Sequence, residues 1–211
     1  MNQKERNELS RARILVHASA EFAEHGYHGA SVNRICENGK ISKGLMYHYY
    51  TDRDDLYLAC VQTCYSKITE LVWQKLDLGS VTVEDFFDSR TVYFEKHPVY
   101  YHLYLDSITN TCPHIQEQLK QCRSEYDAIS YKIFSAIWEN QYKNTVLDPD
   151  FAVTMLTIMR RGLNAYIETQ KSEDFTPADH AKLCKLVVKT IIRGMISEKI
   201  HKIADSPEQK G

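Results

Sequence analysis

The chain has 211 residues, 43% hydrophobic and 26% charged, with a formal net charge of −2. Such a balance fits an ordinary globular chain with enough apolar material for one large domain, or a small domain joined to a medium one. It excludes a helical membrane span, because no stretch reaches the roughly 18 uncharged apolar residues that a crossing needs.

The opening Met1-Asn2-Gln3-Lys4-Glu5-Arg6 has no apolar core behind its charges. No signal peptide is therefore expected, and a cytoplasmic location is. Cys36, Cys60, Cys64, Cys112, Cys122 and Cys184 are scattered without a CxxC pair. Several fall at the apolar phase of predicted helices, so reduced core thiols are expected rather than a disulfide frame.

Helical spacing dominates from end to end, and almost nothing alternates as a strand would. The first predicted helix runs from about Leu9 to Glu24, with Ile14, Leu15, Ala18 and Phe22 on one face and Gly26 as its stop. Ser31 is an N-cap candidate for a short second helix that turns Val32, Ile35 and Cys36 inward. Asn38-Gly39-Lys40 reads as a tight turn. Ser42 then caps a third short helix, Lys43 to about Tyr49, with Met46 on its buried side, and Asp52 opens a longer fourth whose stripe holds Leu56, Cys60, Ile68 and Leu71.

Further along, Thr82 and Asp85 have capping-box spacing before Phe86 and Phe87, in a helix ending near His97-Pro98. Val99 to about Ile108 is another helix, and Pro113 starts a long one through Trp138. Asp148-Pro149 and Thr176-Pro177 each set an N-cap residue before a first-turn proline. They open two last helices, roughly Pro149–Lys171 and Pro177–Ile203, and Asp205 to Gly211 reads as a frayed tail. The expectation is all-α, with about nine helices and no internal repeat.

Two short helices joined by a tight turn and packed on a third make a helix-turn-helix. The second helix of such a pair enters the major groove of DNA, and its first residues meet base edges. That role asks for a capped start, small or polar residues there, and an apolar back. In Ser42-Lys43-Gly44-Leu45-Met46-Tyr47-His48-Tyr49-Tyr50, Ser42 caps, Lys43 brings charge, Gly44 permits close backbone approach and Met46 anchors. Charge supports this only locally. Residues 1–56 carry eight Lys/Arg against eight Asp/Glu, yet Met1–Arg13 and Ser31–Tyr50 each hold more bases than acids.

The ordered run Ala23-Glu24-His25-Gly26-Tyr27-His28-Gly29-Ala30-Ser31-Val32-Asn33-Arg34-Ile35-Cys36, followed by Ile41 through Tyr50, resembles the DNA-binding domain of the TetR family of repressors. The likeness covers about residues 9–60. It implies a helix-turn-helix domain over 1–56, a helical ligand-binding and dimerisation domain over 57–204, and a tail over 205–211. By the same resemblance Ser31 and Arg34 face phosphate, with Asn33 nearby. Lys43, Gly44 and Leu45 form the base-reading edge, Tyr47 and His48 touch the DNA backbone, and Arg53 takes the place of a family lysine near phosphate. Tyr49 and Tyr50 read as packing residues.

One departure stands out. The family has Ala-Gly-Val before the recognition helix, where this chain has Gly39-Lys40-Ile41. Either Lys40 takes the turn conformation or the turn moves onto Gly39, and Lys40 can add a phosphate contact.

The last two predicted helices are apolar nearly all round. A second apolar face needs a second partner. Met155, Met159, Gly162, Leu163, Tyr166, Val187, Ile191, Gly194 and Met195 are expected to form a two-fold interface between identical subunits. The middle helices are rich in aromatic residues, and a pocket among them is implied for a small-molecule inducer, with Tyr93, His97, Tyr104, Tyr126 and Met159 as lining. The partners expected are thus a double-stranded DNA operator, an inducer and a second copy of the chain. No cofactor, metal or membrane is expected.

Enzymatic function finds no support, since the sequence lacks a phosphate-cradling glycine loop, a nucleophile elbow and a zincin pair. Two alternatives remain. Cys60 and Cys64, spaced i and i+4, suit metal or redox sensing, and a helical interaction protein without DNA binding would share the same elements.

Overall fold

A computed structural model describes residues 2–109, 112–142, 148–169 and 175–204. All regular structure among these residues is helical. The helices are α1 (Gln3–Gly29), α2 (Val32–Gly39), α3 (Lys43–Tyr49), α4 (Arg53–Lys75), α5 (Val83–Lys96), α6 (Pro98–Thr109), α7 (Gln116–Tyr142), α8 (Pro149–Thr169) and α9 (Pro177–Ala204). A 3-10 turn, Pro113–Ile115, precedes α7. The all-α expectation holds, and the frayed tail foreseen at 205–211 falls outside the described residues.

Local chemistry explains most helix ends. Asn2 and Glu5 cap each other's backbone N–H groups at 2.8 and 2.9 Å, so α1 begins at Gln3 rather than at Leu9. The polar first turns carry no apolar period, and only the capping box marks them. α1 leaves helical geometry at Gly26, whose φ of 67° lies in the left-handed region, before a last turn to Gly29. Ser42 Oγ accepts from Leu45 N–H at 3.1 Å at the head of α3. Asp52 accepts from Asp55 N–H at 2.8 Å before α4. Thr82 with Asp85, and Thr176 with Asp179, close reciprocal boxes ahead of α5 and α9.

The chain divides into two compact units, Met1–Glu70 with Tyr93–Tyr126, and Leu71–Val92 with Asp127–Gly211. In the first unit the core is built from Ile14, Ala18 and Phe22 of α1, Ile35 of α2, Met46 of α3, and Leu56, Tyr57 and Cys60 of α4. α1 packs on both α2 and α6. Phe22 and Tyr27 meet the Tyr57 ring edge-on at 5.0 and 4.9 Å.

Asp106 of α6 fastens these helices. It accepts from Tyr57 O–H at 2.6 Å and from Tyr27 N–H at 3.3 Å. The kink at Gly26 brings that N–H into reach, and a Cβ there would come within 3.1 Å of the same carboxylate. Tyr27 O–H donates to Asp54 at 2.7 Å, and His114 Nε2 lies 2.8 Å from the other Asp54 oxygen. Burial and the Asp54 hydrogen bond push the Tyr27 phenol up to about 12. A phenol that keeps its proton remains a donor to Asp54.

In the second unit Phe86 of α5 meets Phe134 of α7 at 5.0 Å, and α8 packs along α9. Lys185 pairs with Asp88 at 2.6 Å, and Lys189 pairs with Glu84, tying α9 to α5. The interior also contains polar groups: Arg90, Ser130, Arg160, Asn164 and His180 are all buried. No helix among the described residues is long and apolar enough to cross a membrane.

Candidate functional site

The α2–α3 corner is the part of the chain built to present side chains outward. α2 stays helical through Gly39, and the reversal falls on Lys40, whose φ and ψ are both 47°. Ile41 N–H closes onto the Cys36 carbonyl at 2.8 Å and Lys40 N–H onto Glu37 at 3.1 Å, the paired bonds of a Schellman ending. Of the two arrangements open to Gly39-Lys40-Ile41, the chain adopts the one that gives the left-handed position to lysine. An L-residue there costs about 1 kcal/mol.

Glycine is needed one residue earlier for a different reason. Gly39 is buried, and a Cβ on it would come 2.5 Å from Ile41 Cδ1 and 3.0 Å from His17 Cδ2. Gly39 therefore lets α2 sit down on α1.

Below this corner Met46 is fully buried, while Ser42, Lys43, Gly44, Leu45, Tyr47 and His48 are exposed. Tyr47 is 51% and Leu45 37% exposed, unusual for large apolar side chains on so short a helix. A Cβ at Gly44 would meet open space, so the backbone is bare on that side. Tyr50 is buried, and half-buried Tyr49 donates to Asn7 Oδ1 at 3.1 Å, which suits packing residues. Lys40 is exposed, and its carbonyl accepts from Arg13 Nη2 at 3.4 Å.

The remaining expected DNA-facing residues divide. Asn33 is exposed at the head of α2. Ser31 holds the N-cap position of α2, yet its side chain makes no capping hydrogen bond. Its N–H donates to Glu21 Oε1 at 2.8 Å instead. Arg34 lies beside the same carboxylate, donating through Nε at 2.7 Å, and it also reaches the Gly29 carbonyl at 2.6 Å. Arg53 donates to the Tyr27 carbonyl at 2.9 Å and lies over that ring at 4.5 Å. Both arginines thus have protein partners already, and a phosphate would share them.

Glu21 is the residue the sequence reading passed over. It is 4% exposed and joins the start of α2 to α1. Burial works to raise its carboxyl, but the hydrogen bonds from Arg34 and Ser31 outweigh that and hold it below the ordinary 4.5. Its position was readable, because Glu21 falls seven residues after Ile14 on the face that also carries Ala18 and Phe22. An acid in the apolar phase of a helix signals a buried partner. Glu21→Ala is expected to lower stability by about 2 kcal/mol, since the Ser31 N–H loses its acceptor. Glu21→Gln, which keeps an acceptor oxygen, should lose less, and chemical denaturation compares the two.

The residues expected to line a pocket fall as follows. Tyr93 is half-buried, stacked on Tyr100 at 6.1 Å and beside His97 at 4.5 Å, with His97 itself exposed. Tyr104 and Tyr126 are fully buried and pack with Tyr65 at 5.9 and 5.6 Å. Met159 belongs to the second unit, on an exposed face of α8.

The expected subunit-contact residues also lie on outward faces of α8 and α9. Met159, Gly162, Tyr166 and Gly194 are exposed, and Met155, Leu163, Val187, Ile191 and Met195 are intermediate. A Cβ at Gly162 or Gly194 would meet open space. Ile158 and Leu186, absent from the expected set, are 56% and 63% exposed in the same two helices.

A capped, apolar-backed α3 with bare polar residues at its head, seated across α2 on α1, makes a helix-turn-helix. The sequence model of the family described as Bacterial regulatory proteins, tetR family, matches residues 14–60, a segment that contains this corner whole. Over residues 14–60 the chain is thus similar to the DNA-binding domain of the TetR family of transcriptional regulators.

Among curated relatives, the HTH-type transcriptional repressor AcnR of Corynebacterium diphtheriae is 38% identical over 64 residues, 30% of this chain and 34% of that one. The HTH-type transcriptional activator FasR of Mycolicibacterium smegmatis is 29% identical over 117 residues, 52% of either chain. The chain therefore spans about a third to a half of the length of these relatives. Among solved structures, the transcriptional regulator FadR from Bacillus subtilis in complex with stearoyl-CoA superposes with a TM-score of 0.66 at 15% identity, covering 87% of this chain and 98% of that one. That likeness is one of fold.

Proposed function

We propose that the chain is a ligand-responsive transcriptional repressor. It binds a palindromic duplex operator as a homodimer through α3 and leaves it when a small-molecule inducer occupies the C-terminal helices. The observation that carries this reading is the exposed head of α3, where Lys43, Gly44, Leu45, Tyr47 and His48 stand out from a helix anchored by buried Met46. In this reading Lys43 donates to guanine O6 or N7 and Leu45 touches a thymine methyl, contacts worth about 1–3 kcal/mol of discrimination each. Tyr47 and His48, with Asn33, Lys40, Ser31, Arg34 and Arg53, supply phosphate contacts that hold register without reading sequence.

Dimerisation follows from the outward apolar faces of α8 and α9, where Tyr166 is 59% exposed and Leu186 63%. Faces of that kind mark association surfaces. An isologous contact through them would present two α3 helices to half-sites roughly 34 Å apart. Inducer binding then favours the population whose spacing no longer suits the operator. The domain plan keeps 1–56 as the DNA reader and 57–204 as sensor and dimerisation domain.

The alternative of thiol-based sensing is disfavoured by the cysteines themselves. Cys60 and Cys64 are fully buried, and burial pushes the Cys60 thiol up to about 12 and Cys64 higher still. The reactive species is the thiolate, which such sites suppress.

A mobility-shift titration against duplex DNA from upstream of the chain's own gene tests the proposal. Tight, salt-sensitive binding is expected. Lys43→Ala should relax sequence preference, and Tyr47→Phe should weaken binding with preference kept. Equal affinity of all three proteins would defeat the contact assignment. A strictly monomeric chain, or one indifferent to every duplex at low salt, would defeat the whole reading.

A further inference from the structure

α1 starts earlier than its apolar face requires. Asn2 to Glu8 contain no apolar residue and Leu9 is 60% exposed, so burial does not hold this stretch in a helix. Polar bonds do. Asn2 and Glu5 cap the first turn, and Asn7 Oδ1 accepts from Gln3 Nε2 at 3.2 Å and from Tyr49 O–H of α3 at 3.1 Å. A short polar helix is marginal in water without such ties.

The ties lay the start of α1 along α3. Arg13 Nη2 donates at 3.4 Å to the carbonyl of Lys40, just ahead of α3, while Asn7 meets Tyr49 in the last turn of α3. α1 thus runs antiparallel beside α3, and its first turns come level with the end of α3, where Tyr47 and His48 are exposed. Arg6 and Arg13 are seven residues apart, so they share one side of α1 at about 10 Å along its axis. Both are exposed, as is Lys40.

The charge on this side is available. Arg6 enters no ion pair among the described residues. Arg13 spends one donor on the Lys40 carbonyl and keeps the rest of its fork. Glu5 is engaged with Asn2, and Glu8 lies about 160° round the axis from Arg6. Arg11, on another side, leans over the ring of buried Tyr50 at 5.9 Å. A row of bases beside an exposed α3 matches a run of phosphates, which carry one charge per about 3.4 Å of each DNA strand.

We propose that Arg6, Arg13 and Lys40 form a track for the DNA phosphate backbone beside α3, extending the footprint of the chain to the first turns of α1. The track rests on the DNA-binding reading given above and adds affinity without reading sequence. Its helical ties hold the bases in place before DNA arrives, so little order is lost on binding.

The test titrates the full-length chain by fluorescence anisotropy against a duplex from upstream of its own gene and a scrambled duplex of equal length, between roughly 50 and 200 mM salt. Arg6→Gln and Arg13→Gln should each flatten the plot of log affinity against log salt by about 0.9, the value of one phosphate contact. Each should also weaken both duplexes alike, by about threefold or more. Arg6→Lys keeps the charge and should keep the slope. Lys4→Gln removes the same charge from a residue about 160° round the axis from Arg6 and should leave the slope unchanged. If Arg13→Gln fails to fold because the Lys40 carbonyl loses its donor, the Arg6 and Lys4 variants decide the matter.

An unchanged slope in Arg6→Gln overturns the track. So does an equal fall in Lys4→Gln, which would mean that net charge alone matters, or a loss confined to the upstream duplex, which would make these arginines base readers. Binding by the parent chain with slopes unmoved in the variants sinks the track and leaves the regulator reading standing. A parent chain that ignores both duplexes at low salt sinks the two together.

Discussion

Acidification from pH 6.5 to roughly 5 is expected to cost about 2 kcal/mol of stability through His180 alone, and His180→Gln should abolish that loss. His180 is 3% exposed. Burial first, then the charges of Arg90 and Arg160, lower its ring from an ordinary 6.5 to about 3. In the unfolded chain the ring takes up its proton near 6.5, while in the native chain it remains neutral. Between those two values the unfolded state binds the extra proton, so stability is complete above 6.5 and drains away as pH falls. The slope is about 1.4 kcal/mol per unit.

The glutamine side chain of that variant would keep a donor for Asn164 but cannot titrate. Urea unfolding of both proteins across the window isolates the effect, because the groups that act on the ring or share its Asn164 partner, Arg90, Arg160 and Cys184, are common to the two. Parallel pH profiles would mean that the native ring takes up protons as readily as the unfolded one.

Gly39→Ala is expected to destabilise the chain by about 1–3 kcal/mol, the range for overfilling a packed interior. It should also reduce operator affinity. If Gly39 served only backbone freedom, alanine in its helical position would be neutral or would stabilise by about 0.4–1 kcal/mol. The structure assigns it the opposite role. A Cβ would press on Ile41 Cδ1 at 2.5 Å and His17 Cδ2 at 3.0 Å. Ile41 is itself buried immediately ahead of the Ser42 cap, so relief at Ile41 shifts the start of α3. The backbone cost sits on Lys40, and Lys40→Gly should recover about 1 kcal/mol. Thermal melts that rank Gly39→Ala at or above the parent chain would refute this division of labour.

What was legible in the sequence was local. Ser42 before Lys43, Thr82 with Asp85, and Thr176 before Pro177 announce helix starts through bonds spanning at most a turn, and each forms as read. The apolar phase of α1 and the anchoring of Met46 were equally plain, because burial of a stripe repeats at helical period. Glu21 lay in that same phase and its meaning was missed, since an acid at an apolar position says only that a partner exists and not which residue it is. α1's first turns carry polar side chains throughout, so periodicity had nothing to report there.

The sequence by itself determined an all-helical chain with a capped, outward-facing α3, because propensity, capping and amphipathic spacing act over a few residues. Tertiary structure alone decided that Gly39 serves close approach rather than turning, that Arg34 and Ser31 share Glu21, and that Arg90 and Arg160 lie inside. Those outcomes depend on groups far apart in the chain meeting in one place, and the free energy of a buried charge is set by everything that surrounds it, not by its neighbours in sequence.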